Sequence, residues 1–414
     1  MNRPQDLLAQ TLTLPGGQVI KNRLAKSAMS EALGTTDNHV TEGLVNLYRC
    51  WAEGGTGLLI TGNVMIDRRA LGEPNNVVLE DDCDMPLLKR WAEAGKTGGT
   101  QCWVQLNHPG RQVPKGLNAE SVSPSAVPFL PALQAFFGPP RALSTDEIDE
   151  LIQRFARSAA LVKLAGFSGV QIHGAHGYLV SQFLSPLTNQ RTDQWGGSAE
   201  NRRRFVLEVY RAIRAAVGPE FPVGIKLNSA DFQRGGFTED ESLEVIRALE
   251  AEGIDLVELS GGTYEAPAMS DKQRHSESTL KREAYFLEFA EKVRAVVKVP
   301  LMVTGGFRSL SGMAAALESG ALDLVGIGRG LAIEPDLPNR LLAGQDPRYS
   351  VETIRTGIGA IDRMALMEVV WYSRQLRRMA NGKPTKPKES GLWAFIANLV
   401  SNGIGTWKTR KLRA

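Results

Sequence analysis

Two histidines and a tyrosine stand close together in Gln171-Ile-His173-Gly-Ala-His176-Gly-Tyr178. Two neutral imidazoles aimed at one carbonyl oxygen can donate hydrogen bonds to it and lower the energy of an enolate that develops there. A phenol beside them adds a weak acid. On an extended strand His173 and His176 would face opposite ways, so the chain is expected to turn at Gly174 and Gly177 if both rings are to converge. The competing reading is that one histidine satisfies a core hydrogen bond and Tyr178 simply packs. A metal site is disfavoured, because no third ligand follows at a suitable spacing.

Two glycine-bearing runs, Thr304-Gly305-Gly306-Phe307-Arg308 and Gly326-Ile-Gly328-Arg329, are the next candidates. Glycine lets backbone N–H groups approach a phosphate closely, and a short helix start beside them would help. Neither run is a Walker or dinucleotide fingerprint, and each alone could be a tight turn. Lys226 lies in the apolar stretch Val223-Gly-Ile-Lys226-Leu-Asn-Ser. It either snorkels or pairs with an acid, or it points to a barrel centre and balances negative charge. Gln105, in Trp103-Val-Gln105-Leu-Asn-His108, is either a solvated strand residue or an amide facing the edge of a heterocycle.

The elements around these residues set their geometry. From about residue 20 to 345, short β-branched runs alternate with longer segments of helical period, as in a parallel sheet covered by helices. The expected strands are Leu24–Ser30, Gly57–Val64, Thr100–Asn107, Gly169–His173, Pro222–Asn228, Asp255–Ser260, Pro300–Thr304 and Asp323–Ile327. Expected helices are Ser144–Ala165, Ala199–Val217, Thr238–Glu252 and Ala284–Val297, with Ser144/Glu147 and Thr238/Glu241 at capping-box spacing. Gly166, Gly218, Gly253 and Gly320 follow helical runs as C-terminal punctuation. Eight strands and their helices fit an α/β fold of the (β/α)8 TIM-barrel type, whose substrate loops gather at the C-terminal ends of the strands. Residues 108–143 and Ser181–Gly197 are the long loops expected there.

The chain has 414 residues, 43% apolar and 22% charged, with a formal net charge of +3. That is a soluble globular composition, and no apolar run is long enough for a membrane span. The N-terminus lacks the pattern of a signal peptide, so a cytoplasmic protein is expected. Cys50, Cys83 and Cys102 are too scattered for a disulfide framework or a metal cluster. Residues 371–414 hold ten Lys or Arg against one acid, Glu389, which makes a basic tail and not a nucleic-acid-binding body. The expected division is a barrel over 1–345 and a helical, basic extension over 346–414, with a helix at Ile361–Met379 and a Pro/Lys linker at Asn381–Ser390. Trp393, Phe395, Ile396 and Leu399 beside Lys408, Arg410, Lys411 and Arg413 suggest either packing on a neighbouring subunit or on the chain's own barrel, or contact with an anionic membrane surface.

From Lys21 to about Gly344 the sequence resembles the old yellow enzyme family of FMN-dependent ene-reductases. The resemblance rests on Lys21-Asn-Arg-Leu, Gln105-Leu-Asn-His108-Pro-Gly-Arg111, His173-Gly-Ala-His176-Gly-Tyr178-Leu, and Phe183-Leu-Ser-Pro-Leu-Thr-Asn-Gln-Arg191-Thr-Asp-Gln-Trp-Gly-Gly-Ser-Ala-Glu-Asn201-Arg202. It implies non-covalent FMN at the C-terminal mouth of the barrel, with NADH or NADPH as hydride donor and a small enone as acceptor. Carried over by position, Ala28, Met29, Ser30 and Gly62 would line the flavin ring and Gln105 would bond its pyrimidine portion. Lys226 would stabilise the reduced anion, while Gly305, Gly306, Gly328 and Arg329 would hold the phosphate. His173 and His176 would bind the acceptor's carbonyl, and Tyr178 would supply the proton. The sequence departs from the family pattern at Ala28 (often Pro), Ser30 (Thr or Cys), Thr61-Gly62 (Glu-Ala) and Lys226 (Arg), which bears on flavin potential and substrate range. Related enzymes sometimes complete a neighbour's site with a C-terminal arginine, so Arg374, Arg377 or Arg378 and a homo-oligomer also enter the expectation. The alternatives are an NADH oxidase, quinone, nitro or dienoyl reductase on the same flavin, or a non-catalytic flavin-binding sensor or scaffold.

Overall fold

The computed structural model describes residues 3–261, 286–347, 354–358, 367–397 and 400. Eight parallel strands close on themselves: β1 (Leu24–Lys26), β2 (Leu58–Met65), β3 (Gln101–Asn107), β4 (Gly169–Gly174), β5 (Val223–Asn228), β6 (Leu256–Ser260), β7 (Leu301–Thr304) and β8 (Leu324–Ile327). β8 pairs with β1 and β1 with β2, which completes the (β/α)8 barrel. The expected strands agree within a few residues. β1 is the exception, because only the Ser27 N–H continues its pairing, to the Ile327 carbonyl at 3.0 Å. A buried ion pair between Lys26 Nζ and Glu31 Oε1, 3.1 Å, then folds the chain back over the strand's end.

Side chains alternate about the barrel wall, as a period of two requires. Leu24, Leu59, Val104, Val170, Ile172, Ile225, Val257, Leu259, Val303 and Val325 join the large core beneath the helices. Ala25, Leu58, Ile60, Trp103, Leu256, Met302 and Leu324 form a separate apolar cluster in the interior. The hairpin of Leu12–Thr13 and Val19–Ile20 plugs the N-terminal end of that cluster with Leu12, Leu14 and Ile20. Trp103 fills the barrel floor only because β4 and β5 carry glycine beside it. A Cβ on Gly169 would lie 2.5 Å from the Trp103 indole nitrogen, and one on Gly224 would lie 2.9 Å from the far ring edge. Gly169→Ala is therefore expected to cost about 1–3 kcal/mol of stability, as overpacking does. Denaturant unfolding checks it, and an unchanged midpoint would refute this account of the floor.

Two residues further along six of the eight strands the interior becomes polar: Ser27, Gln105, Gln171, Lys226, Glu258 and Thr304 are all buried. This second layer lies under the C-terminal mouth, where the long loops begin.

Helices Thr145–Leu164 and Glu239–Glu252 start with the expected capping boxes, Ser144/Glu147 and Thr238/Glu241. Ala199–Val217 has the bounds read from sequence, and the described part of the next expected helix is 286–294. Gly166, Gly218, Gly253 and Gly320 all take positive φ after their helices. In the C-terminal segment, Met367–Ala380 is helical, whereas 361–366 of the expected helix falls outside the described residues. This helix packs on Glu42–Glu53 and Arg329–Ile333. The chain beyond it turns back through Glu389, whose carboxylate takes Arg374 Nε at 2.9 Å and Gln375 Nε2 at 3.2 Å. The Glu389 carbonyl accepts the Trp371 indole N–H at 2.9 Å. Trp393, Ile396 and Val400 are exposed. Leu399 and the basic residues Lys408, Arg410, Lys411 and Arg413 lie outside the described residues. Among the described residues no helix is long and apolar enough to cross a membrane.

Candidate active site

β4 delivers His173 to the mouth, and the turn behind it brings the other two candidates to the same place. The His173 ring centroid lies 5.2 Å from that of His176 and 4.7 Å from that of Tyr178, both edge-on. The turn is not made as expected. Gly177 is left-handed, φ +74°, but its partner is His176 itself, φ +60°, and Gly174 stays within the strand. Gly174 is needed for another reason, since a Cβ there would meet the Lys226 carbonyl and the Ile225 side chain at 3.0 Å. The His176 turn is held by its own N–H on Asn228 Oδ1 (3.1 Å) and by Nε2 against Ser260 Oγ (2.7 Å).

Both rings are neutral. Burial, then His176 and Lys226, hold His173 well below the usual imidazole range. Burial and Lys226 lower His176 to about 3. His173 Nδ1 accepts the Ala175 N–H at 3.3 Å, so its neutral ring carries the proton on Nε2 as a donor. His108, buried behind the site, is also lowered, to about 4, chiefly by burial. A histidine lowered in the folded state lets the unfolded chain bind protons first, so its contribution is present above about pH 6.5 and is lost as pH falls toward the folded value. Stability should thus decline by about 1.4 kcal/mol per pH unit per such histidine between pH 6.5 and 5. Burial raises the Glu73 and Asp231 carboxyls and opposes this trend. His108→Gln isolates the effect: its unfolding midpoint should fall less steeply with acid than that of the parent, and an equal slope would contradict the assignment.

Below the histidines, Lys226 faces inward and pairs with Glu258 Oε1 at 3.1 Å. Gln105 Nε2 donates to Gln171 Oε1 at 2.6 Å, and Gln171 Nε2 to Glu258 Oε2 at 2.8 Å. Gln105 and Lys226 thus belong to one buried network. Across the mouth, a Cβ on Gly62 would run into the Met29 carbonyl oxygen, and one on Gly328 would sit 4.0 Å from the Met29 side chain. Ala28 packs on the apolar interior cluster. The Ser30 hydroxyl donates to the half-buried Glu73 carboxylate, and the Ser30 carbonyl accepts Ser373 Oγ at 3.4 Å. Gly305 and Gly306 take φ of +116° and +86° at the end of β7, next to Gly328 at the end of β8. Consecutive positive φ is a conformation glycine alone adopts readily. Arg329 Nη1 reaches Glu368 at 2.6 Å, on the C-terminal helix.

A cation, a buried amide and paired glycines around one mouth suit a phosphate-bearing heterocycle. The chain matches the NADH:flavin oxidoreductase / NADH oxidase family over residues 13–347. It belongs to that family, the old yellow enzymes. It is accordingly an FMN-dependent oxidoreductase that draws on NAD(P)H. The NADH-dependent flavin oxidoreductase iccE of Talaromyces variabilis is 36% identical over 407 residues, covering 90% of this chain and 98% of that one. Among solved structures, a 2-naphthoyl-CoA reductase superposes with TM-score 0.75 at 28% identity, covering 82% of this chain and 53% of its own. The old yellow enzyme homologue from Zymomonas mobilis gives TM-score 0.69 at 26% identity over 83% of this chain and 95% of that one.

Several residues around this old yellow enzyme site escaped the sequence reading: Glu258, Gln171, Ser260, Asn228, Glu73, Lys26 and Glu31. The departure at Thr61-Gly62 has a local cause: Glu31 Oε1 accepts the Gly62 N–H at 3.3 Å, and the Met29 carbonyl oxygen leaves no room for a side chain. The long signature from Phe183 to Arg202 braces the loop after β4. Asn189 Nδ2 bonds the Phe183 and Trp195 carbonyls at 2.8 and 2.7 Å, and Arg202 Nε bonds the Leu184 carbonyl at 2.9 Å.

Proposed function

We propose that this enzyme reduces the activated C=C bond of an α,β-unsaturated carbonyl compound. FMN, when bound, would supply the hydride-transfer chemistry that links NAD(P)H to the β-carbon of the acceptor. The protein's own groups do the rest: His173 and His176 donate to the carbonyl oxygen, and the Tyr178 hydroxyl delivers a proton to the α-carbon. The observation that carries this reading is the convergence of two neutral imidazoles and a phenol on one mouth. Neutral donors can polarise a carbonyl without transferring a full proton to it, which suits an oxygen that gathers charge only transiently. Burial, reinforced by the charge of Lys226, keeps both histidines neutral, and Lys226 would face the flavin's pyrimidine side, beside Gln105. Gly305, Gly306, Gly328 and Arg329 would hold the phosphate, while Ala28, Met29, Ser30 and Gly62 would line the ring.

An anaerobic screen of acceptors with NADH and with NADPH tests the reading. Turnover of cyclohexenone supports it. Turnover only with quinones, nitro compounds or, in air, oxygen would make this an oxidase or reductase of another acceptor. No turnover with any would favour a flavin-binding sensor.

The C-terminal extension would act in assembly. Trp393 and Ile396 are both exposed on the last described helix, which suits association with a second copy. Trp393→Ser is expected to lower the sedimenting mass while FMN content stays the same. Unchanged mass together with unchanged flotation on anionic liposomes would leave the extension without either role.

A further inference from the structure

Among the described residues of the barrel strands, Glu258 is the single acid, and it is fully buried. A carboxylate so placed is tolerated only if its lone pairs are met. Here they are: Lys226 Nζ lies 3.1 Å and Thr304 Oγ1 2.7 Å from Oε1, and Gln171 Nε2 lies 2.8 Å from Oε2.

Direction follows from this. An ionised carboxylate only accepts, so Gln171 must turn its NH2 toward Glu258 and its Oε1 toward Gln105. Gln105 must then present its NH2 to Gln171, at 2.6 Å. Its Oε1 is left as an acceptor with no hydrogen bond among the described residues. Thr304, having given its proton to Glu258, accepts in turn from Ser27 Oγ at 2.7 Å. One acid thus orients four neutral groups, Gln171, Gln105, Thr304 and Ser27, and also offsets the charge of Lys226.

We infer that Glu258 is a positioning residue for the flavin. It sets the polarity of the amide relay that ends at Gln105, and it tempers the cation that favours reduced, negatively charged FMN over oxidised FMN. The inference rests on FMN lying over Gln105 and Lys226, as proposed above. Charge compensation and relay direction are separable. Glu258→Gln leaves Lys226 uncompensated, so the midpoint potential of bound FMN should become more positive by about 30 mV or more, a tenfold gain in relative affinity for the reduced form. Gln171→Met keeps the ion pair but cuts the relay, so FMN should bind more weakly with a potential near that of the parent. Glu258→Asp, the milder change, should move the potential in the same direction by less.

The experiment is redox titration of the purified holoenzyme and the three variants, with FMN affinity from flavin fluorescence. Potentials of both Glu258 variants equal to the parent's, with FMN bound, would overturn the role given to Glu258. FMN that binds to Gln171→Met as tightly as to the parent would overturn the relay. A parent protein that takes up no FMN would instead overturn the placement of the flavin, and the inference with it.

Discussion

Tyr178→Phe is expected to slow enone reduction by about 10²- to 10⁴-fold, the usual worth of a positioned general acid, while flavin reduction by NAD(P)H stays near the parent rate. The substitution removes one oxygen and keeps the ring. That ring is 8% exposed and stands edge-on to His173 at 4.7 Å, so its packing survives the change. The backbone at 178 is fixed independently, by its N–H on the Ala175 carbonyl at 3.3 Å and its carbonyl on the Gln182 N–H at 2.8 Å. Stopped-flow measurement of the two half-reactions separates them. Equal slowing of both, or of neither, would remove Tyr178 from the acid's role. His173→Ala and His176→Ala should chiefly weaken binding of enones and phenols.

Lys26→Met is expected to lower stability by about 3–5 kcal/mol, the range for removing one partner of a buried ion pair. Lys26 is fully buried, with its ammonium on Glu31 Oε1 at 3.1 Å, Tyr48 Oη at 3.2 Å and the Ile60 carbonyl at 2.8 Å. It also lies over the Trp51 ring at 4.5 Å. Without it the Glu31 carboxylate is left buried against Tyr48 and the Gly62 N–H, with no other cation within bonding distance among the described residues. Adding Glu31→Gln to Lys26→Met should recover most of the loss, because an amide costs far less to bury than an unpaired charge. Denaturant unfolding of the two single variants and the double variant reads this directly. Additive losses would show that the pair is not coupled.

Lys26 and Lys226 also show where the sequence stops being legible. Each is a lone lysine in a short apolar strand, and the two look alike in composition. The side each faces depends on phase: Ala25 and Ser27 point inward, so Lys26 points to the helix layer, whereas Gly224, Lys226 and Asn228 point inward together. The same phase argument would have found Glu258, two residues from inward-facing Leu256, and Gln171, two from Gly169. By contrast the eight strands, the capping boxes and the cluster at His173, His176 and Tyr178 were readable, because period, cap and spacing are local signals. Ser30 with Glu73, and Arg329 with Glu368, depend on loops and on a distant helix. No local pattern encodes them.

The seam of the barrel lies between its first and last strands. Arg23 bonds the carbonyl of Asp323, 300 residues away, the Trp51 indole bonds Leu331 at a separation of 280, and Ser373 reaches Ser30 across 343. Contacts of such separation are slow to form, because the entropy of closing so long a loop must be overcome before they contribute anything. On the ribosome, at roughly 5–20 residues per second, β1 must wait tens of seconds for its partner β8 to be made. Throughout that interval β1 presents an unpaired edge, the kind that recruits other chains. Aggregation during synthesis is thus the hazard specific to this architecture, and it should ease when translation is slowed at low temperature or when chaperones that shield exposed strands are abundant.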